Sequence, residues 1–333
     1  MRCWRGNCFR RVRCPERGLR RMSPGNAGGL KDKTLKQYRR VLCIFLTWLS
    51  TLGLQPETAA EYDDLLVEFR YGVDGAPPMS KGNLEHLVSA VERVLPHLKG
   101  QLTLIHHELS SWKVHYQVRH AQPLLPSWAH MVAYGMLRAG YPAVAAALLL
   151  QSLTGLRPGE LLSVKVADLF LPGDPGGTPG VGFILLSSAA GTKAGRRQGV
   201  RVLQPLALFL MALFRAAFSP ERRLTHLYTL GGYAYVLQLA TRAMGLDWAG
   251  WRPHSPRAGY VTWRHFEGDR RDAIMEVTRH LSVKSFRSYL DVEVVLAGTI
   301  ATRMAPLGPT LVHLQDTLPK LLTKVLLSGP QVL

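Results

Sequence analysis

Two arginines, two histidines and a tyrosine beyond residue 150 have the types and the spacing to act on a phosphate group. Arg157 ends the turn sequence Thr-Gly-Leu-Arg, and Arg257 follows His254 by three residues in His-Ser-Pro-Arg. His280 is followed nine positions later by Tyr289. A guanidinium keeps its charge at any useful pH and makes forked hydrogen bonds to phosphate oxygens. We therefore expect Arg157 and Arg257 to clamp the non-bridging oxygens of a phosphodiester.

Together with two further segments, these residues resemble the catalytic motifs of the tyrosine recombinases, the family of phage integrases and chromosome-dimer resolvases. The further segments are Gly191-Thr192-Lys193 and the Pro-Gly-Glu-Leu-Leu that follows Arg157. The resemblance covers residues from about 33 to 295. It implies a site-specific recombinase or integrase that cleaves and rejoins double-stranded DNA through a 3′-phosphotyrosine intermediate, working as a homotetramer on the DNA.

The resemblance assigns the nucleophile to Tyr289. The ordinary pKa of a tyrosine is about 10, so the phenol is mostly protonated at neutral pH and needs a cationic site to ionise. His254 is the expected base or proton relay for it. His280 is expected to supply a further hydrogen bond to the phosphate oxygens.

Two more assignments are implied by the resemblance alone. In the family a lysine on a β-hairpin protonates the leaving 5′-oxygen, and Lys193 matches it. Because the gap from the first arginine to this lysine is longer than usual, Arg196 and Arg197 are the alternatives nearest the phosphate. Glu160 matches a carboxylate that supports the site, although a first-turn acid stabilised by the helix dipole explains it equally well. Arg279 stands where the family usually has glycine and adds positive charge beside the site.

The sequence indicates no metal, ATP or other cofactor. Arginines supply the charge that a nuclease takes from Mg²⁺, and no cluster of carboxylates is available to hold a metal. The phosphotyrosine link conserves the energy of the broken bond, and the chain has no G-x-x-x-x-G-K motif.

The fold class that must position these residues is mainly α with a small β-sheet. Residues 31–122 are expected to form a helical, SAM-like core-binding domain that binds DNA. Its first helix starts at Asp32 and carries an apolar stripe, with basic residues on the other face. These DNA-binding candidates are Lys33, Lys36, Arg39 and Arg40.

Residues 127–305 are expected to form the mixed α/β catalytic domain, which with the first domain would make a C-shaped clamp on the duplex. Most of it reads as helix, including Glu160 to Val166. Phe183 to Ser187 and Val200 to Leu203 read as two short strands joined by a polar hairpin. Residues 123–126 contain two prolines and are interpreted as a linker between the domains.

Residues 306–333 form a C-terminal segment that is expected to dock on a neighbouring subunit; packing on its own domain is the alternative. Its apolar stripe has helical spacing, and Pro319 predicts a kink or a split. The stripe consists of Leu311, Leu314, Leu318, Leu321, Leu322 and Val325.

The charge balance identifies the class of partner. The 333 residues contain 41 Lys and Arg against 23 Asp and Glu, a net charge of +18, which attracts polyanions such as nucleic acid. Residues 1–30 hold eight arginines against Glu16 alone and are predicted to be a disordered basic arm. A zinc site at Cys3, Cys8 and Cys14 is the alternative for this arm, but it lacks a C-x-x-C pair and a nearby histidine.

The same composition indicates where the protein works. The four cysteines all precede residue 44, so they cannot be a disulfide scaffold, and a reducing compartment fits. We expect no secretory signal, because the N-terminus is Arg-rich and has no apolar stretch, and no apolar run is long enough to cross a membrane. We expect an intracellular, DNA-associated protein, located in the nucleus of a eukaryote or in the cytoplasm or nucleoid of a prokaryote.

Two alternative functions share the same sequence features. One is a domesticated DNA-binding protein of the same fold that no longer catalyses. The other is a type IB topoisomerase, which uses a similar set of residues to nick and reseal one strand. A topoisomerase acting as a monomer would not need to pass its C-terminal segment to a neighbour.

Overall fold

The computed structural model describes residues 32–115, 121–175, 177–186, 198–227, 229–280, 283, 286 and 305–328. The chain divides into two compact units, Met1–Val118 and Arg119–Leu333. The predicted basic arm, with Cys3, Cys8 and Cys14, lies outside the described residues. In the part of the chain that is described, no helix combines the length and the apolar character needed to cross a membrane.

The described part of the first unit is helical. Its four α-helices are α1 (Asp32–Leu52), α2 (Ala59–Tyr71), α3 (Lys81–Val94) and α4 (Thr103–His115). The apolar stripe of α1 is buried, and the Phe45 ring lies 5.2 Å from the Phe69 ring of α2 in an edge-to-face arrangement. Buried Asp63 of α2 accepts the backbone N–H groups of Leu104 and Ile105, which satisfies two free donors at the start of α4.

The second unit surrounds an apolar helix with other helices. Its helices are α5 (Pro126–Arg138), α6 (Pro142–Thr154), α7 (Pro158–Leu161), α8 (Pro205–Ala217), α9 (Leu230–Ala243), α10 (Ser255–Phe266), α11 (Arg271–Thr278) and α12 (Gly308–Leu327). Every residue of α6 from Ala143 to Thr154 is buried. Because α5, α8, α10 and α12 all pack on it, α6 is the central helix of this unit.

A small sheet lies in the same unit. Strands β1 (Leu169–Phe170), β2 (Gly182–Leu186) and β3 (Gln198–Val202) pair antiparallel in the order β1-β2-β3. Every second side chain of β2 and β3 faces the core, where Ile184 lies opposite Val200. The sequence-based prediction of a mainly α fold with a small β-sheet is confirmed, and β1 is a strand that it missed.

The helix predicted from Glu160 to Val166 is wrong. Helix α7 ends at Leu161, and the chain then pairs with a distant segment. The Leu224 N–H donates to the Val164 carbonyl, and the Val166 N–H donates to the Arg222 carbonyl. These long-range bonds flank an isolated β-bridge between Lys165 and Arg223, and Val166–Asp168 then form a short 3-10 turn, which helical periodicity does not reveal.

Residues 123–126, interpreted above as a linker, pack closely on the second unit. The Leu124 N–H donates to the Ser255 carbonyl over 2.9 Å, and the Trp251 indole donates to the Pro123 carbonyl over 3.2 Å. A Cβ at Gly259 would lie 1.9 Å from the Leu124 carbonyl oxygen, so only glycine permits this approach. The segment therefore anchors the first turns of α10.

The C-terminal helix α12 runs from Gly308 to Leu327 without interruption, so the segment is not split at Pro319, and a kink there stays a prediction. An internal proline costs about 3 kcal/mol, which the burial of several leucines at ~1.5–3 kcal/mol each outweighs. Leu321, predicted to be in the apolar stripe, is 39% exposed. The buried side chains, which join the core of the second unit, are Leu311, Leu314, Leu318, Leu322 and Leu326. Docking on a neighbouring subunit stays a prediction.

Candidate active site

The turn that follows α6 needs glycine. Gly155 has a φ of +62°, in the left-handed region, and a Cβ there would lie 2.8 Å from the Tyr260 ring. Glycine is therefore required both by the backbone conformation and by the space available. The turn buries Leu156 and brings the half-buried Arg157 to the start of α7.

Glu160 holds the Arg157 side chain and caps α7 at the same time. Its Oε2 accepts the backbone N–H of Arg157 over 2.8 Å, and its Oε1 accepts from Arg157 Nη1 over 2.9 Å. The Glu160 side chain is only 3% exposed, so this charge-assisted contact is shielded from water. Glu160 thus lies in the first turn of α7, as the helix-dipole explanation requires, and also bonds to Arg157; its supporting role in the site stays a prediction.

Arg257 is the largest fully buried side chain among the described residues, with 1% of it exposed. It lies in the first turn of α10, whose N-cap residue is His254. Its Nη1 donates to the Gly155 carbonyl over 2.6 Å, and its Nη2 donates to the Thr278 carbonyl. Two backbone carbonyls from different segments thus orient this guanidinium, which links the turn after α6 to the end of α11.

His280 follows α11 and contacts Arg257. Its Nε2 lies 3.3 Å from Arg257 Nη2, and its Nδ1 lies 2.7 Å from Thr278 Oγ1. The Thr278 hydroxyl donates to the Ile274 carbonyl, and an arginine can only donate. The network therefore places the imidazole proton on Nδ1 and leaves Nε2 as an acceptor toward Arg257.

The two histidines are neutral at neutral pH. Burial, together with the charges of Arg257, Arg157 and Arg279, lowers the pKa of His280 to about 3. Partial burial of the ring and the charges of Arg257 and Arg157 also lower the pKa of His254, although the residue as a whole is exposed. A neutral, exposed imidazole is the form that can accept a proton.

Arg279 belongs to this network, which the sequence alone did not predict. It has a φ of +57°, a conformation that glycine adopts without strain. Its Nη2 donates to Glu160 Oε2, and its carbonyl accepts from Arg157 Nη2 over 2.9 Å. Its side chain is 9% exposed, and its Nε is buried without a hydrogen-bond partner. The replacement of the usual glycine by arginine at this position was the one sequence signal that pointed to these contacts.

Five of the predicted site residues thus lie in one connected region. They are Arg157, Glu160, His254, Arg257 and His280. Lys193, Arg196, Arg197 and Tyr289 lie outside the described residues, so their roles stay predictions. Within the described residues, no group of three or more His, Cys, Asp or Glu is arranged to hold a metal ion.

The basic candidates of the first unit lie on α1. Lys33, Lys36 and Arg40 are exposed, and Arg39 is half-buried. Positions 33, 36 and 40 share one face of the helix because side chains three and four residues apart are neighbours. Their role in DNA binding stays a prediction.

Comparison with known proteins relates this arrangement to solved structures. No protein-family model and no curated protein matches the chain. The chain is similar to a lambda integrase (75–356) dimer bound to a COC′ core site, with 15% identity, a TM-score of 0.55, and coverage of 81% of this chain and 93% of that one.

It is also similar to the XerH site-specific recombinase bound to difH substrate in a pre-cleavage complex, with 15% identity and a TM-score of 0.51. The match covers 80% of this chain and 79% of that one. A post-cleavage complex of XerH with palindromic difH gives 14% identity, a TM-score of 0.53, and coverage of 82% of each chain. At such identities the likeness concerns the fold, and this chain has the fold of the tyrosine recombinases.

Proposed function

We propose that the protein is a site-specific tyrosine recombinase that cleaves and rejoins double-stranded DNA through a 3′-phosphotyrosine at Tyr289. The observation that carries the proposal is the buried Arg257, which the Gly155 and Thr278 carbonyls hold beside His280. Three motif segments that are remote in the sequence meet at this one side chain. The fold agrees with this function, because its neighbours include recombinases bound to DNA.

Arg157 and Arg257 would bind the two non-bridging oxygens of the scissile phosphate. Arg257 is held by carbonyls and Arg157 by Glu160, so neither guanidinium has to reorganise as charge develops on the phosphate. Fixed donors of this kind are worth much more in a water-poor site than in solution. Arg279 offsets the Glu160 charge, so the site stays cationic.

The chemical step exchanges one phosphate ester for another. The Tyr289 phenol loses its proton to His254 and its oxygen bonds to phosphorus, while the bond from phosphorus to the 5′-oxygen breaks. Lys193 would protonate the leaving oxygen, with Arg196 and Arg197 as the alternatives. Attack by a 5′-hydroxyl of another strand reverses the step, so no cofactor is consumed.

His280 has a more specific role than the sequence suggested. In the network described above, its Nε2 accepts from Arg257, so it cannot also donate to a phosphate oxygen. Donation would require the proton to move from Nδ1 to Nε2, or a second proton to bind when the phosphate brings negative charge. We propose that His280 positions Arg257 in the free protein and becomes a donor once DNA is bound.

The remaining parts of the chain complete the proposal. The first unit, as a core-binding domain, would add phosphate contacts from α1, and recombination would need a homotetramer on the DNA. Location at the DNA follows from this function. The boundaries 31–122 and 127–305 are proposed for the two domains, with 306–333 contacting a neighbour.

Nicked suicide substrates that cover the genomic flanks of the gene test this function. We expect a covalent protein–DNA adduct, mapped by mass spectrometry to Tyr289, and no adduct with Tyr289→Phe although that variant still binds DNA. DNA binding without an adduct would identify a silent DNA-binding protein. Relaxation of supercoiled plasmid by a monomer, without exchange between duplexes, would identify a topoisomerase.

A further inference from the structure

A single glutamine interrupts the apolar sequence of α6. The helix runs Pro-Ala-Val-Ala-Ala-Ala-Leu-Leu-Leu-Gln-Ser-Leu-Thr, and Gln151 is 0% exposed. Burying an amide without hydrogen bonds costs several kcal/mol, on the order of 1–3 in protein mutational data. A glutamine in this place therefore needs partners that repay its burial, and its partners indicate what it does.

Gln151 contacts both loops that carry site residues. Its Nε2 donates to the Leu156 carbonyl over 3.1 Å and to the Pro253 carbonyl over 3.2 Å. Leu156 directly precedes Arg157, and Pro253 directly precedes His254. One amide group thus joins two segments that are about a hundred residues apart in the chain.

Tyr233 of α9 fixes the orientation of this amide. The Tyr233 hydroxyl lies 2.6 Å from Gln151 Oε1, and the ring is fully buried. The two carbonyl contacts require the NH₂ group on their side, so Oε1 must face the hydroxyl, which donates. Burial raises the pKa of Tyr233, which keeps the hydroxyl protonated as a donor.

We propose that Gln151 is a positioning residue that sets the distance between Arg157 and His254, and that Tyr233 locks its amide in the required orientation. This inference rests on the proposed function, in which the two residues act on the same phosphate and nucleophile. A displacement of about 1 Å in such a site can cost on the order of 10²-fold in rate.

The central variant is Gln151→Leu, which keeps the volume and removes all three hydrogen bonds. Its matched control is Ser152→Ala, since Ser152 is also 0% exposed on α6 but bonds only to the Leu149 carbonyl of its own helix. We expect Gln151→Leu to slow adduct formation by about 10–10²-fold with DNA affinity within about threefold of wild type. Ser152→Ala should stay near wild type in both.

A pH profile separates positioning from a general loss of structure. Burial and the charges of Arg257 and Arg157 lower the pKa of His254, whereas the charge of Glu160, the partner of Arg157, raises it by less. If the two segments move apart in Gln151→Leu, the pKa of His254 rises and the acid limb of the rate profile moves to higher pH. A variant that merely contains less folded protein would lower the rate at every pH and leave the limb in place.

A measurement without DNA keeps the inference separate from the proposed function. Titration of the His254 ring by NMR in the full-length chain should show the same upward pKa shift in Gln151→Leu and none in Ser152→Ala. If wild type forms no adduct, the proposed function fails, and this titration still decides whether Gln151 positions His254. An unchanged titration in Gln151→Leu overturns the inference.

Tyr233→Phe covers the case in which Gln151→Leu does not fold. It removes one hydroxyl, retains the buried ring and leaves both carbonyl contacts possible, so we expect a smaller shift of His254 in the same direction. A His254 pKa that is higher in Tyr233→Phe than in Ser152→Ala supports the inference. Equal His254 pKa values in Tyr233→Phe and Ser152→Ala overturn it.

Discussion

The cations at the candidate active site and the cations on α1 differ in how they are held. Arg257 is 1% exposed and bonded to two backbone carbonyls, and Arg157 is bonded to a buried carboxylate. Lys33, Lys36 and Arg40 are exposed on one face of α1. A fixed guanidinium has lost its rotational freedom before the substrate arrives, whereas a solvated lysine loses it on binding.

This difference separates two uses of positive charge. Fixed cations are suited to stabilising charge that develops during a reaction, because they need not reorganise at that moment. Exposed cations contribute to affinity by releasing counterions from DNA, and their effect depends on salt. The predictions that follow change one kind of cation at a time and ask whether rate or affinity responds.

The largest effect is expected at Arg257. Removal of one fixed donor typically costs about 10²–10³-fold in rate, so Arg257→Ala should lower adduct formation by that factor. Arg257→Lys should lower the rate of adduct formation nearly as much. A single ammonium cannot bond to both the Gly155 and the Thr278 carbonyls and also reach a phosphate. Single-turnover cleavage with saturating DNA measures this. A lysine variant that cleaves at the wild-type rate would show that the forked geometry is not used.

The next effect is expected at Arg279, where activity and stability should separate. Arg279→Gly removes the positive φ strain of +57° and the buried guanidinium together. We expect slower adduct formation, because Glu160 loses one of its two guanidinium partners and the site loses a positive charge. Strain relief should offset the lost ion pair, so thermal stability should fall little. Arg279→Ala is the control, since it loses the same charge and keeps the strain. Equal stability of the two variants would contradict the argument.

A smaller effect is expected from the exposed cations of α1. Each phosphate contact contributes about 0.9 to the slope of log affinity against log salt. Replacing Lys33, Lys36 and Arg40 by glutamine should therefore shallow the slope by up to about 2.7 while the cleavage rate at saturating DNA stays unchanged. Lys320→Gln and Lys324→Gln on α12 provide the comparison at exposed lysines elsewhere. An unchanged slope would place the DNA on another face of the first unit.

The last effect is a pH dependence of stability. The pKa of His280 is about 3 in the folded protein, below its ordinary value, so the unfolded chain binds the proton more tightly. His280 therefore lowers stability as the pH falls from about 6.5 toward 3. The free energy of unfolding, measured in urea for the second unit, should therefore fall less for His280→Gln than for wild type between pH 7 and pH 4.5. Parallel losses in both proteins would mean that His280 keeps its ordinary pKa.

Much of the fold could be predicted from local pattern. The capping box of Thr58 and Glu61 and the left-handed Gly72 set the two ends of α2, and both are local signals. The spacing of apolar residues likewise predicts α1 and α12, because one buried face determines each helix. The candidate site residues could be named from the sequence, since each carries its chemistry in its own side chain.

The remaining features depend on contacts that no local pattern contains. Backbone bonds to Leu224 and Arg222 hold the segment after α7 beside a distant part of the chain. Pro319 lies within a continuous helix because the core covers the leucines of that helix. The same limit applies to Gln151, because its sequence neighbours do not reveal its two carbonyl partners.

By itself, the sequence determined the kind of chemistry available, the basic character of the surface and most helices, because residue type and periodicity are local properties. Only the tertiary structure decided that Arg257 is buried between two carbonyls, that Arg279 shares Glu160 with Arg157, and that His280 accepts from Arg257. Each of these depends on groups brought together across at least twenty residues, and the free energy of such a contact exists only after the chain has folded.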